Sequence, residues 1–101
     1  MEGSPTPLVP HLSTVVYFVY LLKSKKNGSL YIGITNDFQR RLDEHNSGKN
    51  ISTRRYMPWV LIYFEGYLSK FDAEKRELNL KHFAKAYGQL KGRISNSLQD
   101  G

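Results

Sequence analysis

The chain has 101 residues, with 15 Lys and Arg against 9 Asp and Glu, for a net charge of +6. That length is one domain's worth, and the absence of cysteine rules out a disulfide framework and a thiolate zinc site, so the core alone must hold the fold. The longest unbroken apolar run, Val15 to Leu22, is far short of the roughly 18 residues a membrane span needs, so no membrane partner is expected, and the lack of cysteine fits a reducing, cytoplasmic setting.

Residues 1–13 hold Pro5, Pro7 and Pro10, and no Lys or Arg precedes Lys23, unlike the basic-then-apolar layout of a secretory signal. They read as a disordered tail, with the folded domain over 14–99.

Val15 to Leu22 is apolar throughout and rich in aromatic and β-branched residues, which predicts a strand buried on both faces and central in its sheet. Asn27-Gly28 marks a hairpin turn, and Ser29 to Thr35 alternates as a second strand. A two-residue loop would set Tyr20 across from Thr35, whereas a loop from Ser24 to Asn27 would pair Tyr20 with Tyr31. Either even-length loop leaves both tyrosines on one face.

Asn36 with Gln39 resembles a capping box, and the helix it opens should stop near Ser47-Gly48. Phe38 and Leu42 are its apolar anchors, while Arg41 and His45 fill the interleaved positions of the same stripe. Lys49 to Pro58 is a polar, basic loop, and Trp59 to Tyr67 is a third strand. Ser69 with Asp72 opens a second long helix, on which Ala73, Glu77, Leu80 and Ala84 share a stripe. A carboxylate on such a stripe needs a cation, a metal or a hydrogen-bond partner. Lys81, one turn on, offers a plain salt bridge. Gly88 and Gly92 should break the pattern, leaving a short basic helix ending around Leu98.

The basic excess is clustered. No acidic residue lies between Leu78 and Gln99, a stretch that holds Lys81, Lys85, Lys91 and Arg93. Arg40, Arg41, Lys49, Arg54 and Arg55 form a second group, only partly offset by Asp43 and Glu44. Such clusters favour polyanions, because each neutralised phosphate releases condensed counterions; a solvated basic face is the alternative.

Two phenols on one face, a guanidinium and an imidazole from an adjacent helix, and one carboxylate from a later helix make a set suited to phosphodiester hydrolysis. A lone carboxylate can hold one divalent cation that keeps its waters. Arginine matches charge developing on phosphoryl oxygens. Taken singly, the same residues also read as ordinary strand aromatics, a helix-surface histidine and an arginine paired with Asp37 or Glu44.

Val19-Tyr20, then Tyr31-Ile32-Gly33 with its tyrosine 11 residues on, Arg41, His45, and Glu77 within Arg76-Glu77-Leu78-Asn79-Leu80-Lys81, resembles the GIY-YIG nuclease domain. The similarity runs from about Val15 to Leu98 and is strongest to the short stand-alone members related to the nuclease domain that opens the bacterial excision-repair incision subunit. The second motif matches letter for letter; in the first, Phe18-Val19 replace Gly-Ile and the tyrosine stays. The resemblance implies an α+β fold, a small three-stranded, mainly antiparallel sheet flanked by helices. It implies a metal-dependent endonuclease acting on DNA that is structured, damaged or single-stranded, with a role in DNA repair. Tyr20 and Tyr31 would be the motif tyrosines, Tyr31 the one that positions or deprotonates water. Arg41 would contact phosphate, His45 assist, and Glu77 hold one Mg²⁺ or Mn²⁺; Asn96 stands in for a late asparagine of the family. Arg40, Lys49, Arg54 and Arg55 are the expected backbone contacts, with Tyr56 and Trp59 nearby to stack on bases; folding of that loop onto Trp59 is the alternative. A non-catalytic nucleic-acid-binding module, or a nuclease that needs a protein partner for targeting, is the competing reading. The sequence leaves the oligomeric state open.

Overall fold

The computed structural model describes residues 15–101, so the expected tail lies outside the described residues. β1 (Tyr17–Ser24) and β2 (Leu30–Thr35) form the predicted hairpin, with Tyr20 opposite Gly33 and Leu22 opposite Tyr31. This register lies midway between the two expected ones. The Ser24 hydroxyl accepts from the backbone N–H groups of Lys26 and Asn27 at 3.1 and 3.2 Å, and the Ser24 N–H donates to Ser29 O at 2.8 Å. Lys25 to Gly28 is thereby the loop, closed by Gly28 at φ 77°. Because the shift is even, Tyr20 and Tyr31 keep the shared face that the sequence demanded.

β3 (Trp59–Tyr67) pairs antiparallel with β1 on its other side, giving the order β2-β1-β3. Its register slips between Leu21 and Leu22, which pair with Tyr63 and Leu61. This bulge turns Trp59 and Leu61 onto the face that carries Tyr20 and Leu22. β1 is buried on both faces, which is why it reads as a continuous apolar run.

α1 (Phe38–Asn46) covers the Tyr20 face; α2 (Lys70–His82), α3 (Ala84–Arg93) and α4 (Ser95–Asp100) cover the other, over Val19, Leu21 and Ile32. α1 is capped one residue later than predicted, because the Asp37 carboxylate, rather than Asn36, accepts from the Arg40 N–H at 3.1 Å. α2 begins at Ser69 as predicted and buries Ala73 and Leu80. It ends at His82, since Phe83 turns extended at φ −121°, ψ 103°, so Ala84 begins a new helix and leaves the Glu77 stripe. Gly88 and Gly92 do not break α3: both sit in open space within it, and Ile94 separates α3 from α4.

Candidate active site

Tyr20 projects from the centre of β1 against Gly33 of edge strand β2, and its hydroxyl lies 3.0 Å from His45 Nε2. His45 comes from the last turn of α1 and is fully buried; its Nδ1 lies 2.8 Å from the Thr53 hydroxyl, itself 3.5 Å from Asn50 O. Burial holds the imidazole below the usual histidine range, and the Arg41 charge pushes the same way against Glu44. A neutral imidazole gives one consistent direction of donation, from Tyr20 to His45, to Thr53, to the Asn50 carbonyl. Burial pushes the Tyr20 phenol up to about 12, although the adjacent Arg41 guanidinium pulls it down; Tyr31 and Glu77 add to the rise. Tyr20 therefore keeps its proton at neutral pH and is a donor.

Tyr31 stands beside this chain, its ring centroid 4.8 Å from that of His45 and 6.2 Å from that of Trp59. It is half-buried, and among the described residues its hydroxyl makes no hydrogen bond. Of the two motif phenols it is the one free to meet a ligand.

Arg41 shares this cluster and is bonded to Glu44 at 2.8 Å, one of the two pairings open from sequence. Its Nε is buried with no partner among the described residues, an unsatisfied donor of the kind that a ligand completes. Arg40, on the outer face, pairs with Glu44 at 3.1 Å and Asp37 at 3.9 Å.

Glu77 arrives from the opposite face of the sheet. On α2, Arg76 reaches β3, donating to Glu65 in a two-pronged pair at 2.9 Å, and Glu77, about 100° round the helix from it, lines a groove with Phe71, Asp72, Glu74, Lys75 and Leu78. The Glu77 carboxylate meets Lys81 Nζ at 3.3 Å, the predicted salt bridge. No group of three or more potential metal ligands occurs among the described residues. Glu77 alone fits only a cation that keeps most of its waters, the habit of Mg²⁺.

Sequence reasoning missed Glu65. It accepts from the Tyr63 hydroxyl at 2.6 Å, from the Tyr67 hydroxyl and from Arg76, and this clamp fixes the rotation of α2 and hence the direction of Glu77. Alternation along β3 would have placed Tyr63, Glu65 and Tyr67 on one face, the signal that was there to read.

Arg54 and Arg55 sit exposed on a 3-10 turn (Arg54–Tyr56), and Lys49 is exposed at the start of that loop. Trp59 is buried and anchors the loop, its indole N–H donating to Thr53 O at 2.9 Å, so it is not a stacking platform. Asn46 reinforces the anchor, accepting from the Trp59 N–H at 2.6 Å and donating to its carbonyl at 2.9 Å. Asn96 is exposed on α4, which packs on α3 and β3, the sheet edge opposite β2. The fold does not bring it to the tyrosines.

A two-tyrosine, Arg-His cluster on a β2-β1-β3 sheet, with a glutamate from the following helix, defines a GIY-YIG domain. The family description "GIY-YIG catalytic domain" matches residues 16–91, and the chain belongs to this family, whose members are generally nucleases. The chain is 40% identical over 70 residues to a UPF0213 protein of Staphylococcus haemolyticus, covering 68% of this chain and 84% of that one. It is 46% identical over 65 residues to a UPF0213 protein of Streptococcus pneumoniae, covering 63% of this chain and 65% of that one. The solution NMR structure of a UPF0213 protein from Bacillus halodurans superposes with a TM-score of 0.50 at 35% identity, over 76% of this chain and 83% of that one. No described helix is long and apolar enough to cross a membrane.

Proposed function

We propose that this protein is a divalent-metal-dependent endonuclease that hydrolyses phosphodiester bonds in DNA. One observation carries the reading: Tyr31 has a free hydroxyl beside a phenol, Tyr20, whose proton is locked into the His45–Thr53 chain. The two tyrosines thus have separate tasks. Tyr31 orients the attacking water and takes its proton. Tyr20 keeps its proton and, through His45, fixes the wall against which Tyr31 packs. Arg41 exchanges its half-exposed bond to Glu44 for the phosphate, an exchange that costs little because such pairs contribute only about 0–1 kcal/mol. Glu77 would hold one Mg²⁺ or Mn²⁺, which when bound polarises the phosphate and stabilises the departing oxygen. Exposed Arg40, Lys49, Arg54 and Arg55 add sequence-independent attraction to the backbone.

The test incubates the protein with supercoiled, branched and single-stranded DNA, with Mg²⁺, with Mn²⁺ and with chelator, beside Glu77→Ala and Arg41→Ala. Cleavage that needs metal and both side chains is expected. Equal cutting by all three proteins refutes the site assignment, and salt-sensitive binding without any cleavage selects the binding-module reading.

A further inference from the structure

We propose that the first turn of α2 is a nucleotide subsite, in which Lys70 receives a backbone phosphate and Phe71 stacks on an unpaired base, so that the preferred substrate is single-stranded or splayed. This rests on the nuclease reading and names its substrate class.

An open pocket of about 300 Å³ lies where α1 and α2 begin, lined by Arg40, Arg41 and Lys70 with Thr35 and Asn36, and no carboxylate lines it. Lys70 makes no ion pair among the described residues. The next residue, Phe71, is 80% exposed and contributes nothing to the core. About 100° round the helix from Lys70, it opens on a different groove, of about 580 Å³, shared with Lys75, Glu77 and Leu78 and also lined by Asp72 and Glu74.

The two recesses differ in charge, and that decides what each can take. Lys70 is the cation of the first recess with no acid bound to it among the described residues, and with Arg40 and Arg41, both paired with Glu44, beside it the recess attracts a phosphodiester. Asp72 and Glu74 beside an aromatic ring repel one, yet accept a neutral base, whose flat face lies on Phe71 and whose exocyclic amino group donates to a carboxylate. Phosphate and base are parts of one nucleotide, and the recesses are lined by consecutive residues of the helix, Lys70 and Phe71. A base held in a duplex stack cannot turn its face to Phe71, so the arrangement selects unpaired strands. Glu77 lines the base recess and Arg41 the phosphate recess, which puts the subsite beside the cutting groups.

The experiment measures binding of the full chain to a fluorescent oligodeoxycytidylate and to a duplex of equal length, by anisotropy in chelator across a salt series. It adds quenching of 2-aminopurine placed in the single strand. Phe71→Ala is expected to weaken single-strand binding by about tenfold with duplex binding unchanged, and Phe71→Trp to retain it. Phe71→Leu should not restore it. Lys70→Ala is expected to weaken both ligands and lower the salt slope by about 1. Phe83→Ala, at another exposed phenylalanine, should change neither.

Unchanged single-strand affinity in Phe71→Ala overturns the subsite. So does full restoration by Phe71→Leu, or a change in oligomeric state on Phe71→Ala, which would make the face a docking surface for a second copy. Failure to bind either oligonucleotide overturns it as well. The two readings separate cleanly. Base-dependent quenching without cleavage keeps the subsite and removes the nuclease; cleavage of single strands at the wild-type rate by Phe71→Ala keeps the nuclease and removes the subsite.

Discussion

Tyr20 and Gly33 are cross-strand partners, and the Tyr20 ring and hydroxyl fill the space that any side chain on Gly33 would need. A built Cβ would overlap the phenol end and come within 2.9 Å of the ring edge. The glycine of the second motif is therefore demanded by the tyrosine of the first. With no side chain there, Tyr20 can lie flat across β2 and reach His45 in α1.

Gly33→Ala must displace a phenol that is only 2% exposed, so it should destabilise the fold by about 1–3 kcal/mol and break the Tyr20–His45 bond. Gly88→Ala, in α3 with nothing nearby, should stabilise by about 0.5–1 kcal/mol through helix propensity. Urea unfolding of the two variants reads both effects, and a stable Gly33→Ala would show that the ring can move aside.

The two-faced sheet was legible because period-two alternation survives any even register error. The register of the hairpin was not, since the Ser24 hydroxyl that holds the turn amides makes a contact invisible to pattern reading. Arg41 and His45 stood out on the stripe of α1 because polar residues on an apolar face need partners, and the Tyr20 hydroxyl and Thr53 supply those of His45. The break at Phe83 had no proline or glycine to announce it, and the glycines of α3 pointed to breaks that helix packing overrides. Asn96 was carried by analogy alone and lies apart. Lys70 and Phe71 are ordinary first-turn residues in sequence; only the fold sets them between Arg41 and Glu77.

His45 gives a pH dependence of known sign. Folding lowers its affinity for protons, so the unfolded chain protonates first, near the ordinary value of about 6.5. The stabilisation is complete above that pH and is lost as pH falls through the depressed native value. Its Hε1 resonance should titrate below about 6.5, and a midpoint above it would show that the site stabilises imidazolium instead.

Glu77 and Lys81 form a helix-surface pair at 3.3 Å, with Lys81 42% exposed, so the bond contributes at most about 1 kcal/mol. Glu77→Gln should fold normally, lose Mn²⁺ binding in calorimetry, and bind DNA in chelator at least as tightly as wild type, because a negative charge near the phosphate has gone. Lys81→Ala should lower the Mn²⁺ concentration needed for half-maximal binding. An unaltered Mn²⁺ isotherm in Glu77→Gln would remove this residue as the metal ligand.

Glu65 carries the most concentrated polar contact of the helical layer, accepting from two phenols and from Arg76 while only 16% exposed. Burial pushes its carboxyl up, but Arg76 and the two hydroxyls more than offset this and hold it below the usual range. The unfolded chain therefore takes up the proton first as pH falls. The stabilisation is present above the ordinary carboxylate value of about 4.3 and is lost as pH drops through the lower native value. Glu65→Gln removes the charge but keeps the shape, and should cost about 2–3 kcal/mol at pH 7 by leaving the guanidinium unpaired. The deficit should shrink as pH falls below the ordinary carboxylate value and on through the lower native one, where the wild type loses the same charge. Urea midpoints across that range, with the Mn²⁺ isotherm of Glu65→Gln as a second readout, test both roles. A pH-independent deficit would mean that the carboxylate charge does not hold α2. A wild-type isotherm would mean that the clamp stabilises the fold without aiming Glu77.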